Sequence, residues 1–335
     1  MTTVAPSYDR PMTSAAAPRG ARRIYLANLI AQIAIFFSGA LVRLTGSGLG
    51  CPSWPQCVPG SYIPVREQPQ AWHKYIEFGN RTLTFVLVLL AVAAVGAGVW
   101  HARALRRAGL TPRPQLLKLS FLPFLGTVAQ TIAGGITVLT HLNPAAVAFH
   151  LLLSIAIVGG TLYLVVRAGE PGDEPVEILI VPWARRLGIA LVPVAALVIS
   201  VGTIVTGSGP HAGDASAPRF HLDPRSLSWL HADLVLLFTG LSIGYAILLL
   251  ATGAPARCRR VAMELLAIIG LQGVIGYTQY FTGLPEGLVA VHVLGSSILW
   301  IAVLRVPFSQ RRRGLPPALE PEQLVAAGRE DRPTG

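Results

Sequence analysis

Residues 75–100 read YIEFGNRTLTFVLVLLAVAAVGAGVW. Glu77, Asn80 and Arg81 stand in the first seven positions, and no charged residue follows as far as Trp100. About 20 predominantly apolar residues carry a helix across the hydrocarbon core of a bilayer. The stretch therefore reads as a transmembrane helix that opens on a polar cluster. Seven further runs of this kind lie at residues 24–46, 119–140, 144–166, 187–206, 227–251, 261–281 and 288–306. They are continuous rather than alternating, which argues against a barrel, the other structure that satisfies its backbone in lipid. The fold class is an all-α polytopic membrane protein with eight transmembrane helices.

Composition agrees. The 335 residues are 52% hydrophobic and 13% charged, where a soluble domain carries about 25% charged residues. Mean hydropathy is +0.56. These values exclude a disordered chain, a secreted disulfide scaffold and an ordinary cytosolic enzyme. The formal net charge is +11, from 27 basic and 16 acidic residues. Twenty-one of the 27 fall in the N-terminal segment, in alternate connections and in the C-terminal tail. The other six, Arg43, Arg66, Lys74, Arg81, Arg219 and Arg225, all fall on the opposite side. Basic residues near span ends mark the cytoplasmic face. Both termini are thus expected in the cytoplasm, with the first long loop outside a bacterial cell membrane. The surrounding partner is lipid, and no nucleic acid is expected. Residues 1–23 show no cleavage pattern and read as a disordered tail, as do residues 307–335.

The chain repeats itself. Thr45-Gly46-Ser47-Gly48 closes the first span, and Thr206-Gly207-Ser208-Gly209 closes the fifth. Ala148-Phe149-His150 opens the fourth span as Ala290-Val291-His292 opens the eighth. Glycine-rich stretches precede both, Gly134-Gly135-Ile136-Thr137 and Gly273-Val274-Ile275-Gly276. Two pseudo-symmetric four-helix bundles follow, residues 24–167 and 187–306, joined by a cytoplasmic linker at 168–186. Four being even, both halves run the same way, related by an axis along the membrane normal.

Ionisable groups inside a membrane are costly and point to function. Here they share a depth. Spans two, four, six and eight each place one polar residue a turn or two after the start: Asn80, His150, His231 and His292. Neutral imidazole in an apolar bundle suits the axial position of haem iron. The second half supplies two such ligands, His231 and His292, and the first supplies His150 facing Asn80. The bland alternative is a set of histidines hydrogen-bonded inside the bundle. Glu77 shares a helix face with Asn80 and Arg81. It reads as a proton acceptor beside an open haem face, or as one half of a buried ion pair with Arg81. Ser228 and Ala232 stand at the matching second-half positions, so the halves are specialised.

Cys51 and Cys57 lie in the first outer loop, on the oxidising side, where a disulfide forms readily. A loop staple is favoured over a redox pair, and the spacing matches no zinc site. Cys258 is expected as a free cytoplasmic thiol. His211 and His221, near Asp214 and Asp223, read as solvated loop histidines or as supporting groups over the haem, with a metal pair as the alternative. His101 and His141 are expected at the interfaces. Arg43 and Arg81 are candidates for haem propionates or for snorkelling to the headgroups.

The segment Gly39-Ala40-Leu41-Val42-Arg43-Leu44-Thr45-Gly46-Ser47-Gly48-Leu49-Gly50-Cys51-Pro52, followed by Trp54-Pro55-Gln56-Cys57, resembles the haem A synthase family of cytochrome oxidase assembly. So do Tyr75-Ile76-Glu77-Phe78-Gly79-Asn80-Arg81, Thr206-Gly207-Ser208-Gly209-Pro210-His211-Ala212-Gly213-Asp214, and the three span histidines. The resemblance implies oxidation of a methyl group of haem O to a formyl group. It implies haem b on His231 and His292, and substrate haem O at His150, Asn80 and Arg81, with Glu77 as the catalytic residue. It implies haem O synthase, assembly factors of cytochrome oxidase and a quinol or other electron donor as partners. Many members carry histidine where Asn80 stands. The departure leaves the substrate haem on His150 alone, brings in His73, or frees one face for oxygen or water. Two rival readings share part of the pattern. A bis-His membrane cytochrome b taking electrons from quinol explains the second half but not the Glu77 cluster. A transporter built from parallel repeats would show broken helices and no chromophore.

Overall fold

The structure is a computed structural model that describes residues 15–314. The chain forms α1 (Arg19–Leu44), α2 (His73–Arg107), α3 (Pro114–Ser120), α4 (Leu122–Leu139), α5 (Pro144–Gly169), β1 (Val176–Ile178), α6 (Pro182–Ser208), α7 (Pro224–Ala251), α8 (Ala256–Phe281), α9 (Glu286–Ser309) and β2 (Arg311–Arg313). Eight spans are long and apolar enough to cross a bilayer, with α3 and α4 forming one of them. Pro123 separates those two, because it has no N–H to donate to the preceding turn. Proline opens α5, α6 and α7 at a position whose N–H has no partner within the helix. Asn143 caps α5 by accepting from the amide of Ala145 at 3.0 Å, and Asp223 caps α7 through Ser226 N at 2.8 Å.

Large apolar side chains cover the outside: Phe85, Leu89 and Phe281 are each more than 70% exposed. Such a belt is stable only against lipid. The protein is a multi-pass membrane protein.

Each half is a ring of four helices. In the first, α1 packs on α2 and α5, and α4 packs on the same two. In the second, α6 packs on α7 and α9, and α8 packs on those two. So α2 faces α5 across one ring, and α7 faces α9 across the other. The halves meet through α1 with α9, α5 with α6, and α5 with α9. Exchanging α1 for α6 and α5 for α9 maps this contact set onto itself, which is the signature of a two-fold axis between the halves.

The core sits toward one end of each ring. In the second, Leu191, Phe238, Leu249, Leu265 and Val303 pack together near the arginine-rich end. In the first, Tyr25, Ala94, Leu116 and Leu164 do the same. Toward the opposite end, where the disulfide lies, side-chain packing thins out. The first buried residue of α7 is Phe238, and that of α5 is Ile155. Between Glu77 and Leu87 of α2 no residue is buried.

Two expectations for the tails need correction. Residues 15–23 are not a disordered tail. Ala15, Ala17 and Ala21 are buried, and the amides of Ala15 and Ala17 donate to Pro171 O at 2.7 Å and Ala168 O at 2.9 Å. The chain from 307 onward is also structured at first: α9 runs to Ser309, and β2 pairs antiparallel with β1, Glu177 opposite Arg312. The cause is electrostatic and escapes a hydropathy reading. Glu170 is paired by Arg167, Arg311 and Arg313, Asp173 by Arg113 and Arg167, and Glu177 by Arg312. The rest of the two expected tails, 1–14 and 315–335, lies outside the described residues.

Candidate active site

Every residue singled out from sequence near a span start lies at the disulfide end. His150 and His292 are the seventh residues of α5 and α9, and Asn80 and His231 the eighth of α2 and α7. At 1.5 Å per residue all four sit about 10 Å along their helices.

The three imidazoles share one arrangement. Each rests on a glycine of the neighbouring helix. A Cβ on Gly134 of α4 would lie 3.4 Å from His150 Cε1, one on Gly202 of α6 would lie 3.2 Å from His231 Cε1, and one on Gly276 of α8 would lie 3.3 Å from His292 Cε1. Nδ1 of each ring is buried without a hydrogen-bond partner among the described residues. A core histidine kept for stability has its ring nitrogens bonded, because an orphaned polar atom costs about 1–3 kcal/mol. These do not. Imidazoles at one depth, above a packed core and beside loosely packed turns, would suit an iron porphyrin: His231 and His292, on facing helices of the second ring, would hold one, and His150 of the first ring another. Asn80 is engaged otherwise. Its Oδ1 accepts from Ser38 Oγ of α1 at 2.6 Å, so the carboxamide is tied to the ring wall.

Glu77 is buried and fully engaged. Its Oε1 accepts from Arg81 Nη2 at 2.6 Å and Nε at 3.0 Å, and its Oε2 accepts from the Cys51 amide at 2.7 Å. Arg81 goes on to the carbonyls of Cys51 at 2.8 Å, Ser53 at 3.0 Å and Gln56 at 3.2 Å. Cys51 and Cys57 are joined by a disulfide with Cα atoms 4.3 Å apart. Gln68 donates to Gly50 O, and Lys74 Nζ donates to the carbonyls of Val65 and Arg66 at 2.8 and 3.1 Å. Trp54 lies flat on Gly135, where a Cβ would sit 2.6 Å from the indole. The loop is thus bolted to α2 by the Glu77–Arg81 pair and laid over α4 by Trp54. One residue back, Gly134 receives His150, so loop and imidazole share a glycine pair. His73 bonds Ser47 Oγ through Nδ1 at 2.9 Å and belongs to the loop anchor.

Arg43 joins the halves. Its Nε donates to His211 O at 2.7 Å and its Nη2 to Thr206 O at 2.8 Å, while Gly48 N donates to Gly213 O at 2.8 Å. Each Thr-Gly-Ser-Gly segment is therefore bonded to a residue flanking the other, Thr206 to Arg43 and Gly48 to Gly213. His211 Nε2 bonds Leu284 O at 3.0 Å, and His221 is exposed. Among the described residues no group of three or more His, Cys, Asp or Glu side chains is placed to hold a metal ion. His101 is buried at the basic end against Ala15 O, and Cys258 is a buried free thiol that donates to Ser309 O at 3.1 Å. Sequence reasoning missed Ser38, Trp54 and the two glutamines described below. A signal for the glutamines was available in the constant spacing between the repeats.

The sequence model of the COX15-CtaA family, described as cytochrome oxidase assembly protein, matches residues 22–304. The chain belongs to this family. It is 28% identical over 143 residues to the haem A synthase of Geobacillus kaustophilus, covering 43% of this chain and 41% of that one. It is 31% identical over 247 residues to the haem A synthase of a Methylobacterium species, 62% of each. With the haem A synthase of a Bradyrhizobium species it shares 27% identity over an alignment of 380 residues, 98% of this chain and 99% of that one. The match spans about two fifths of the length of the Geobacillus relative and nearly all of the Bradyrhizobium one.

Proposed function

We propose that this protein is a haem A synthase, an oxidoreductase that converts a methyl group of haem O to a formyl group. The observation that carries the reading is the unequal pair of rings: two imidazoles with an unpartnered Nδ1 stand on facing helices of the second, and one stands on the helix facing that of Asn80 and Glu77 in the first. Haem b, held by His231 and His292, supplies one-electron transfer when bound. Haem O is the substrate, held by His150, with Arg81 and Asn80 bordering its site. The family match and the names of the relatives support the activity.

The chain's own groups divide the work. The four-helix wall excludes water from the substrate edge. Asn80, held by Ser38, would border the substrate haem without ligating it, leaving His150 as the imidazole that would hold its iron. Each of two hydroxylations of the methyl group would consume one dioxygen as oxidant, two electrons from the quinol and two protons and release one water; Glu77 would relay those protons, and the resulting diol loses water to give the formyl group. Arg81 and the Cys51 amide hold its carboxylate in place. The Trp54 loop covers this site and keeps it apart from the aqueous side.

The distribution of arginine supports an orientation with both termini in the cytoplasm and the disulfide loop outside a bacterial cell membrane. Haem O synthase in the same membrane supplies the substrate, a quinol supplies electrons, and cytochrome oxidase assembly factors receive the product. Acid extraction and chromatography of haems from the purified protein, with and without a supply of haem O, tests the reading. Haem B together with haem O or haem A is expected. Haem B alone in both preparations makes the protein an electron-transfer cytochrome, and no haem at all removes the ligand roles of His150, His231 and His292.

A further inference from the structure

The repeat is closest where the two histidine-bearing helix pairs meet. Gln130, Gly134, His150 and Ser154 recur as Gln272, Gly276, His292 and Ser296, each displaced by the same 142 positions. The glutamines lie one turn from the glycines that receive the imidazoles. Gln272 Nε2 donates to the main-chain carbonyl of His292 at 3.0 Å. Gln130 Nε2 donates to Ser154 Oγ at 2.5 Å and to the carbonyl of His150 at 3.4 Å, and Ser154 Oγ donates to that same carbonyl at 3.1 Å. In both halves the carboxamide oxygen is buried and unpartnered among the described residues.

The direction of the Gln272 amide is set by the bond it makes, since turning it over would put oxygen against the His292 carbonyl oxygen. Gln272 therefore keeps a buried acceptor unsatisfied in order to hold the peptide of a histidine, and Gln130 occupies the matching place, bonded to Ser154 Oγ and close to the His150 carbonyl. A leucine or methionine of similar volume would carry no such penalty. The packing around Gln272 is shaped for it. Gly295, one turn past His292, lies where any Cβ would overlap its carboxamide. A feature that breaks local satisfaction twice, at matched positions, is a mark of function rather than stability.

From this we infer that Gln272 and Gln130 are positioning residues, which fix the rotation and depth of α9 and α5 so that His292 and His150 present their rings to iron at a set angle. The inference rests on the haem reading of those histidines. Partners beyond the ligating atom orient metal ligands and tune the metal.

Electron paramagnetic resonance of the oxidised full-length protein in detergent tests it. In a low-spin haem with two imidazole ligands, the largest g value follows the angle between the ring planes. Gln272→Met keeps the volume and removes the donor. It is expected to retain haem b at the wild-type ratio while shifting that g value. Gln130→Met is expected to leave the haem b signal unmoved and to lower the amount of haem O that co-purifies. An unchanged signal in Gln272→Met, with unchanged haem O retention in Gln130→Met, overturns the inference. If Gln272→Met does not accumulate, Gln130→Met decides the matter by haem O retention. A wild-type protein without haem B is a different failure, since it removes His231 and His292 as ligands and leaves the glutamines nothing to position.

Discussion

Arg81 grips Glu77 through two N–H groups, at 2.6 and 3.0 Å, and spends its remaining donors on three carbonyls of the disulfide loop. The pair is therefore more than two charges cancelling within a helix. It is the joint between α2 and the cover of the first ring. Arg81→Ala leaves a buried carboxylate and three carbonyls without donors. A loss on the order of 3 kcal/mol is expected, softened because Arg81 is partly exposed. Arg81→Lys should recover little, since an ammonium cannot span the same fork. Thermal unfolding in detergent checks both, and an Arg81→Lys variant as stable as wild type contradicts this account.

Glu77→Ala should leave haem b in place and stop haem A formation. Glu77→Gln keeps an acceptor for the Cys51 amide and the loop in position, yet should also stop turnover. Haem extraction with a haem O supply reads both. Normal haem A yield from Glu77→Gln would restrict Glu77 to holding the loop.

The histidines should separate by half. His231→Ala or His292→Ala is expected to abolish the low-spin haem b spectrum. His150→Ala should keep that spectrum and lose co-purifying haem O. Loss of haem b from His150→Ala with the second ring intact would show that the assignment of haems to rings is wrong.

The glycine contacts predict a graded series. Gly276→Ala and Gly202→Ala place a methyl group 3.3 and 3.2 Å from an imidazole carbon, so each ring must give by a few tenths of an ångström. Reduced haem b occupancy with little change in folding is expected. Gly135→Ala is harsher, because the methyl group would lie 2.6 Å from the Trp54 indole. Overpacking of this kind costs about 1–3 kcal/mol. A lower unfolding temperature, with Trp54 more accessible to a fluorescence quencher, is the expected readout.

The disulfide closes a short loop, its cysteines six positions apart. Chain entropy assigns a link of this size about 2 kcal/mol. The Cys51→Ser, Cys57→Ser double variant should melt earlier and still form haem A at moderate temperature, because a serine amide at position 51 can still donate to Glu77. Complete loss of haem A with the protein folded would favour a redox role for the pair.

Much of this molecule was legible in its sequence. The eight spans follow from hydropathy, since lipid leaves a backbone no partner but itself. The halves and the common depth of Asn80, His150, His231 and His292 follow from counting along the chain. The likeness to a known family rests on the loop around Cys51 and on the three histidines. The tail boundaries were not legible, because Glu170 and Glu177 sit in a linker and pair with Arg311, Arg313 and Arg312 of β2, more than 130 positions away. Charge pairs between distant segments leave no local signature.

Tertiary structure alone decided how the polar residues are used. Counting positions put Glu77 and Arg81 on one face, but only the fold showed that the pair clamps the loop through Cys51. Asn80 differs from its counterparts in sequence, yet its tie to Ser38 depends on the way α1 leans on α2. Gln130 and Gln272 look like ordinary polar residues in apolar helices until α5 and α9 bring histidine carbonyls to their amides. Burial in lipid is a property of composition, read residue by residue. Hydrogen-bond partnership is a property of distance between segments, and it exists only once the helices have packed.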